Sequence, residues 1–324
     1  MKKILITGAA GFIGYNLAQK LAKNPENHLC LADNLQRGRN DDVFTELTKL
    51  PNVRFLQMDL STPSAFEKLD KGFDEVYHLA AVIGVSNVME RPYDVVRLNA
   101  LTTLHLLDWM AQGGAEKILF SSTSEAYGWT QQFHKLPIPT PEEVPLALTE
   151  IGNPRSSYAG SKIFGELAVT HACQTYKKKF TIVRYHNVYG PRMGYNHVIP
   201  ELFGRITNGE SPLTVYNAHH TRAFCHIDDA VTATQLAMES PAADGATINI
   251  GNDKEITIED LATRMIKIAG VNCEIRTEAA SHDPINRRCP DISRARELIG
   301  YKPSVTLDEG LASTMAWYRT HPKP

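Results

Sequence analysis

The first 33 residues constrain the fold more tightly than any other stretch. An apolar run at 3–7 stops at a glycine-rich segment, TGAAGFIG at 7–14, an amphipathic pattern continues to 23, and a second apolar run at 28–32 ends on Asp33. Strand, glycine turn, helix and strand in that order make a crossover unit, which commits the chain to a parallel sheet covered by helices. Gly8, Gly11 and Gly14 let the backbone approach a pyrophosphate, whose charge is favoured by free N–H groups at the N-terminus of the helix that follows. Asp33, 19 residues after Gly14, offers a carboxylate to both hydroxyls of an adenosine ribose and would repel a 2′-phosphate. The pattern predicts NAD, not NADP. Arg37 and Arg39 come after the acid and are expected to face solvent.

The rest of the chain repeats the theme. Further strands are expected at 53–58, 75–79, 117–121 and 180–184, and helices at 99–110 and 157–176, so the fold class is α/β, a Rossmann-type doubly wound parallel sheet. Past residue 184 the regular alternation breaks at Gly190, Pro191, Pro200 and Pro212, which predicts a smaller mixed substrate-binding lobe. A helix at 226–239 and a strand at 247–250 return to the first sheet. The expected division is therefore a cofactor domain of residues 1–186 and 226–253, and a lobe of residues 187–225 and 254–324.

With 34 basic and 36 acidic residues, no global field exists to hold a nucleic-acid backbone or an anionic membrane, so neither partner is expected. The five cysteines are odd in number and widely spaced, the apolar run at 4–6 is too short for a signal-peptide core, and a cytoplasmic enzyme is expected. The histidines and cysteine of residues 219, 220, 225 and 226 match no closed ligand set, and no metal is expected.

Tyr158 and Lys162 stand four residues apart, on one face of the helix expected at 157–176. A phenol with an ordinary pKa near 10 is a poor base at neutral pH; bringing it toward 7 takes about 4 kcal/mol, which a lysine ammonium and an oxidised nicotinamide could share. The fifth strand runs into SSTSEAYG at 121–128, at the sheet edge where open α/β folds bind ligands. There Thr123 can bond the sugar oxygen that Tyr158 deprotonates, and Glu125 can act one carbon further on. Asp59, after the third strand, falls near an adenine edge.

These residues resemble the extended short-chain dehydrogenase/reductases that modify nucleotide sugars, the NAD-dependent epimerase/dehydratase family. The fingerprint at 7–14, HLAA at 78–81, Asn99, the Ser/Thr cluster and the Tyr158/Lys162 pair stand in the family's order. The resemblance implies cofactor contacts from Gly8, Gly11, Phe12, Ile13, Gly14, Asp33, Asn34, Asp59, Leu60, Leu79, Ala80, Ala81, Asn99, Tyr158 and Lys162. It implies catalysis by Tyr158, Lys162, Thr123, Ser124 and Glu125. RYHNVYGPR at 184–192 looks like the family's diphosphate clamp, and substrate contacts are implied for Arg155, Asn187, Arg192, Tyr216, Arg222 and Arg288. The partner would be a nucleotide-diphosphate sugar, and the assembly a homodimer packed through helices near 92–111 and 157–176.

The implied chemistry is a transient oxidation to a 4-ketone. The triplet Thr123-Ser124-Glu125 is similar to that of UDP-glucuronate decarboxylases and GDP-mannose dehydratases, and the second lobe is most similar to the decarboxylases, although His186 replaces their usual phenylalanine. UDP-hexuronate decarboxylation is the expected reaction; 4,6-dehydration and 4-epimerisation are the alternatives. A non-catalytic NAD-sensing protein would keep the glycine loop and lose the relay, and here both Tyr158 and Lys162 are present.

Overall fold

The computed structural model describes residues 1–132, 134–148, 150–279 and 286–323. Seven parallel strands build its main sheet: Lys2–Thr7, Asn27–Asp33, Val53–Gln57, Phe73–His78, Ala115–Thr123, Lys179–Tyr185 and Thr247–Ile250. Counted in chain order, their spatial order is seventh, sixth, fifth, fourth, first, second, third. The winding therefore reverses between the first and fourth strands. Pleating sends Ile4 and Ile6 to one face and Leu5 to the other, and each face has its own apolar core. Helices Phe12–Leu21 and Ile227–Glu239 cover the first face, helices Pro92–Ala111 and Ser156–Tyr176 the second.

The reversal point is tied across by polar groups. The Thr7 hydroxyl meets His78 Nδ1 at 2.8 Å and accepts from the Leu79 and Ala80 N–H groups. On the other side of the ring, the Thr103 hydroxyl donates to the Asn99 carbonyl and meets His78 Nε2. That leaves His78 the tautomer with the proton on Nε2. Burial, with Lys162 nearby, pushes its pKa down to about 3, so it stays neutral.

Helix Ser156–Tyr176 lies close against the strand Ala115–Thr123 because Gly165 has no Cβ; one there would run into the Phe120 ring. The helix ends where Lys177 turns left-handed, φ 53°. Beyond the main sheet, helices Val198–Thr207, Ile258–Ala269 and Leu307–Thr320 enclose a third apolar core, and Phe12 packs against both it and the first. One boundary of the expected division differs. Ile292, Ala295, Ile299 and Tyr301 join the first core, so helix Ser293–Ile299 packs on the sheet domain within the span 254–324 expected for the lobe. The apolar face of so short a helix is too slight a sequence signal to show which core it serves.

Candidate active site

At the end of the first strand, Gly8 takes φ 68°, and a Cβ there would come within 2.7 Å of the Ala80 nitrogen. Gly14 is equally constrained, since a Cβ would strike the Gly8 carbonyl. Helix Phe12–Leu21 begins with no side-chain cap and no acid in its first turn, which leaves the N–H groups of Phe12, Ile13 and Gly14 for an anion. Asp33 receives the Ala10 N–H at 3.0 Å on one oxygen and the Leu35 N–H at 2.8 Å on the other, so each oxygen keeps a lone pair for a ribose hydroxyl. Asn34 and Asp59 line an open cavity of about 390 Å³ with Gln36, Gln57 and Met58, none of the last three singled out from sequence. A dinucleotide fits this set of groups.

Two residues expected to touch the cofactor act from behind. Asn99 is buried, with its amide bonded to both backbone groups of Val82 and to the Ser161 hydroxyl, so it holds the loop after the fourth strand in place. The Leu60 side chain belongs to the second core, which leaves only its backbone for a ligand.

Tyr158 stands at the crevice with Thr123 and Glu125. Burial raises the phenol's pKa and the Glu125 carboxylate raises it further, while the Thr123 hydroxyl and the Arg37 guanidinium pull it down. In the ligand-free pocket the phenol is therefore protonated. Lys162 departs from expectation: its Nζ donates to the Ser121 carbonyl at 2.7 Å, with the Ser121 hydroxyl at 3.5 Å, instead of pairing with the phenol. Burial pushes its pKa down to about 7, opposed by Glu166. Helical spacing gave the shared face correctly; the depth of the lysine's burial came from packing.

The strand-end hydroxyls divide their work. Ser122 donates to Glu166, and Glu166 receives Nε and Nη2 of Arg184 at 2.9 and 2.6 Å in a buried bidentate pair. Arg184 also donates to the Tyr127 hydroxyl and the Glu142 carbonyl. This network joins the helix carrying Tyr158 to the fifth and sixth strands. Ser124 lies beside it, its N–H bonded to the Tyr185 carbonyl, and Thr123 Oγ1 accepts the Glu125 N–H.

Arg192, expected to bind substrate phosphate, does not. All five of its N–H groups are used: Nε and Nη2 on the two Asp41 oxygens, Nη1 on the Ala10 and Gly11 carbonyls, and Nη2 again on the Arg39 carbonyl. It is 3% exposed, with its guanidinium over the Tyr15 ring, and has no donor left for a phosphate. Arg39, expected in solvent, stacks on Tyr195 at 4.7 Å. Parallel pairing sets Arg288 opposite Arg222, and Arg288 reaches Glu125 at 3.3 Å. Asn187 is left-handed at φ 40° and donates to the Ala223 carbonyl; Tyr216 and Arg155 are exposed.

A family model described as the NAD dependent epimerase/dehydratase family matches residues 4–251. The chain belongs to this family. It is 32% identical over 328 residues to a UDP-N-acetyl-alpha-D-glucosaminuronate decarboxylase of Bacillus cytotoxicus, covering 98% of each chain. It is 32% identical over 311 residues to UDP-glucuronic acid decarboxylase 5 of Arabidopsis thaliana, covering 95% of this chain and 87% of the relative. Among solved structures, a UDP-glucuronic acid 4-epimerase from Bacillus cereus, in complex with UDP-glucuronic acid and NAD, superposes with a TM-score of 0.84 at 27% identity, covering 98% of this chain and 99% of that one. This family member is an NAD-dependent enzyme.

Proposed function

We propose that this enzyme decarboxylates a UDP-hexuronate through a 4-keto intermediate. NAD, when bound, supplies the hydride acceptor and a positive charge beside the phenol. Tyr158 takes the proton of the sugar 4-hydroxyl as C4 loses hydride, and Thr123 steadies the same oxygen. The C6 carboxylate is then β to a ketone: the C5–C6 bond breaks, carbon dioxide leaves, and the electron pair passes to the C4 oxygen as an enolate. A proton from solvent water goes to C5 and leaves hydroxide, the hydride returns to C4, and Tyr158 returns its proton to the C4 oxygen.

The observation that carries this choice is the pairing of Glu125 with Arg288. A 4,6-dehydratase needs a base for the C5 proton and an acid for the departing 6-hydroxyl, whereas Glu125, the carboxylate at the strand end, is tied to Arg288 at 3.3 Å. Decarboxylation asks for neither. The named relatives that act on UDP sugar acids support the reading. A 4-epimerase is the second reading, favoured by the similarity to the UDP-glucuronic acid 4-epimerase. Incubation with UDP-glucuronate, UDP-N-acetylglucosaminuronate, UDP-glucose, UDP-N-acetylglucosamine and GDP-mannose, read by mass and proton NMR, decides the matter. Loss of carbon dioxide supports the proposal; loss of water or an unchanged mass overturns it.

A homodimer and a cytoplasmic location belong to the same proposal. Helices Pro92–Ala111 and Ser156–Tyr176 expose Val96, Leu104, Phe164 and Leu167, an apolar face suited to a second copy, whereas Leu107 is buried in the monomer core. All five cysteines are free thiols, as in a reducing compartment, and among the described residues no helix is long and apolar enough to cross a membrane. Light scattering across a dilution series reads the assembly directly.

A further inference from the structure

Arg37 was expected to face solvent. It is exposed, but over the crevice and not on the outer surface: its guanidinium lies 3.6 Å from where a Cβ on Gly84 would stand and 3.9 Å from that of Gly194. Gly84 follows the fourth strand, at φ 102°, and Gly194 lies in the second lobe beside His197. The arm thus spans the two lobes over the opening that leads to Tyr158, whose phenol feels its charge. Among the described residues no hydrogen bond or ion pair engages the guanidinium.

The loop that carries it is fastened at many points. The Leu35 N–H bonds Asp33, the Gln36 N–H bonds Asn34, and the Arg39 N–H bonds the Ala10 carbonyl. Gly38 lies against the Asp33 carboxylate and the Ala10 methyl, Arg39 stacks on Tyr195, and Arg192 grips both the Arg39 carbonyl and Asp41. The backbone is held in place while, among the described residues, the charged tip has no hydrogen-bond or ion-pair partner. Arginine offers a planar, permanently charged fork, and the anions that belong in a crevice between a glycine cradle and a nucleotide-sugar lobe are diphosphates.

We propose that Arg37 is a diphosphate-binding arm that closes over the crevice and takes phosphate oxygens from above, opposite the N–H groups of Phe12, Ile13 and Gly14. The dinucleotide and the nucleotide sugar each carry the same chemistry, and the inference rests on the crevice receiving them. The test measures NADH affinity by fluorescence titration and UDP affinity by calorimetry, at low and high ionic strength, for the wild type, Arg37→Gln and Arg37→Lys.

Arg37→Gln should weaken at least one ligand by roughly ten- to a hundredfold and flatten the salt dependence of its binding, with Arg37→Lys intermediate. Loss confined to NADH assigns the arm to the cofactor's diphosphate, and loss confined to UDP assigns it to the substrate's. Loss of both at an unchanged Tm of the ligand-free protein places the arm between them. Unchanged affinities, an unchanged salt dependence, or weakened binding accompanied by a lower ligand-free Tm would overturn the proposal. If the wild type bound neither ligand, the crevice reading would fall with it.

Discussion

Replacing Arg192 by glutamine separates two readings of the same residue. The sequence motif makes it a phosphate ligand, in which case Arg192→Gln should raise KM for the nucleotide sugar and leave stability alone. The structure makes it a strut. Its loss removes a bidentate pair with Asp41, three bonds to backbone carbonyls and a cation–π contact with Tyr15 at 4.3 Å. Breaking a buried ion pair by removing one partner costs about 3–5 kcal/mol. The lower end applies, because Asp41 is 29% exposed and also caps the helix Asp42–Thr48, so its charge is not stranded. A cost of about 3 kcal/mol corresponds to a fall in Tm of roughly 4 °C for a chain of this size. Because the strut also pulls on Ala10 and Gly11, NAD affinity should fall with stability. Differential scanning calorimetry with a cofactor titration reads both. An unchanged Tm with a raised KM for the nucleotide sugar would refute the strut.

Three further outcomes follow from the geometry. Tyr158→Phe should reduce turnover by about 10³-fold or more while NAD still binds, because it removes the proton acceptor and leaves the glycine cradle intact; full activity in a mass-spectrometric product assay would rule out the relay. Gly8→Ala places a methyl group against the Ala80 backbone at φ 68°, so the soluble protein should bind NAD at least about tenfold more weakly; wild-type affinity in a fluorescence titration would count against the cradle. His78 and His186 both have pKa values pushed down to about 3, mainly by burial, so below pH 6.5 only the unfolded chain protonates them and stability falls with pH. Urea unfolding from pH 6 to 4 should show His186→Phe losing stability less steeply than wild type, by about 1.4 kcal/mol per pH unit, whatever its stability at neutral pH; equal slopes would contradict the assignment.

The fingerprint at 7–14, Asp33 and the Tyr158/Lys162 pair were legible because each is a short-range pattern: strand, turn and helix geometry places residues a few positions apart whatever surrounds them. The main sheet's strands were legible for the same reason, as apolar runs that both buried faces require. The fates of the charged side chains were not. Arg192 bonds a carbonyl 182 residues away, Lys162 turns to Ser121 and not to its helical neighbour, and Arg184 meets Glu166 under the strand ends.

Sequence alone thus determined the fold class, the glycine turn after the first strand and the helix that carries Tyr158 and Lys162, since backbone periodicity is local and survives any arrangement of the rest. Tertiary structure alone decided which cations remain available for ligands. Burying a guanidinium or ammonium demands a partner for every donor, and those partners are supplied by whichever distant segments the closed cores bring alongside. By that accounting Arg192 and Arg184 are consumed in holding the molecule together, and Arg37 is left reaching over the cleft.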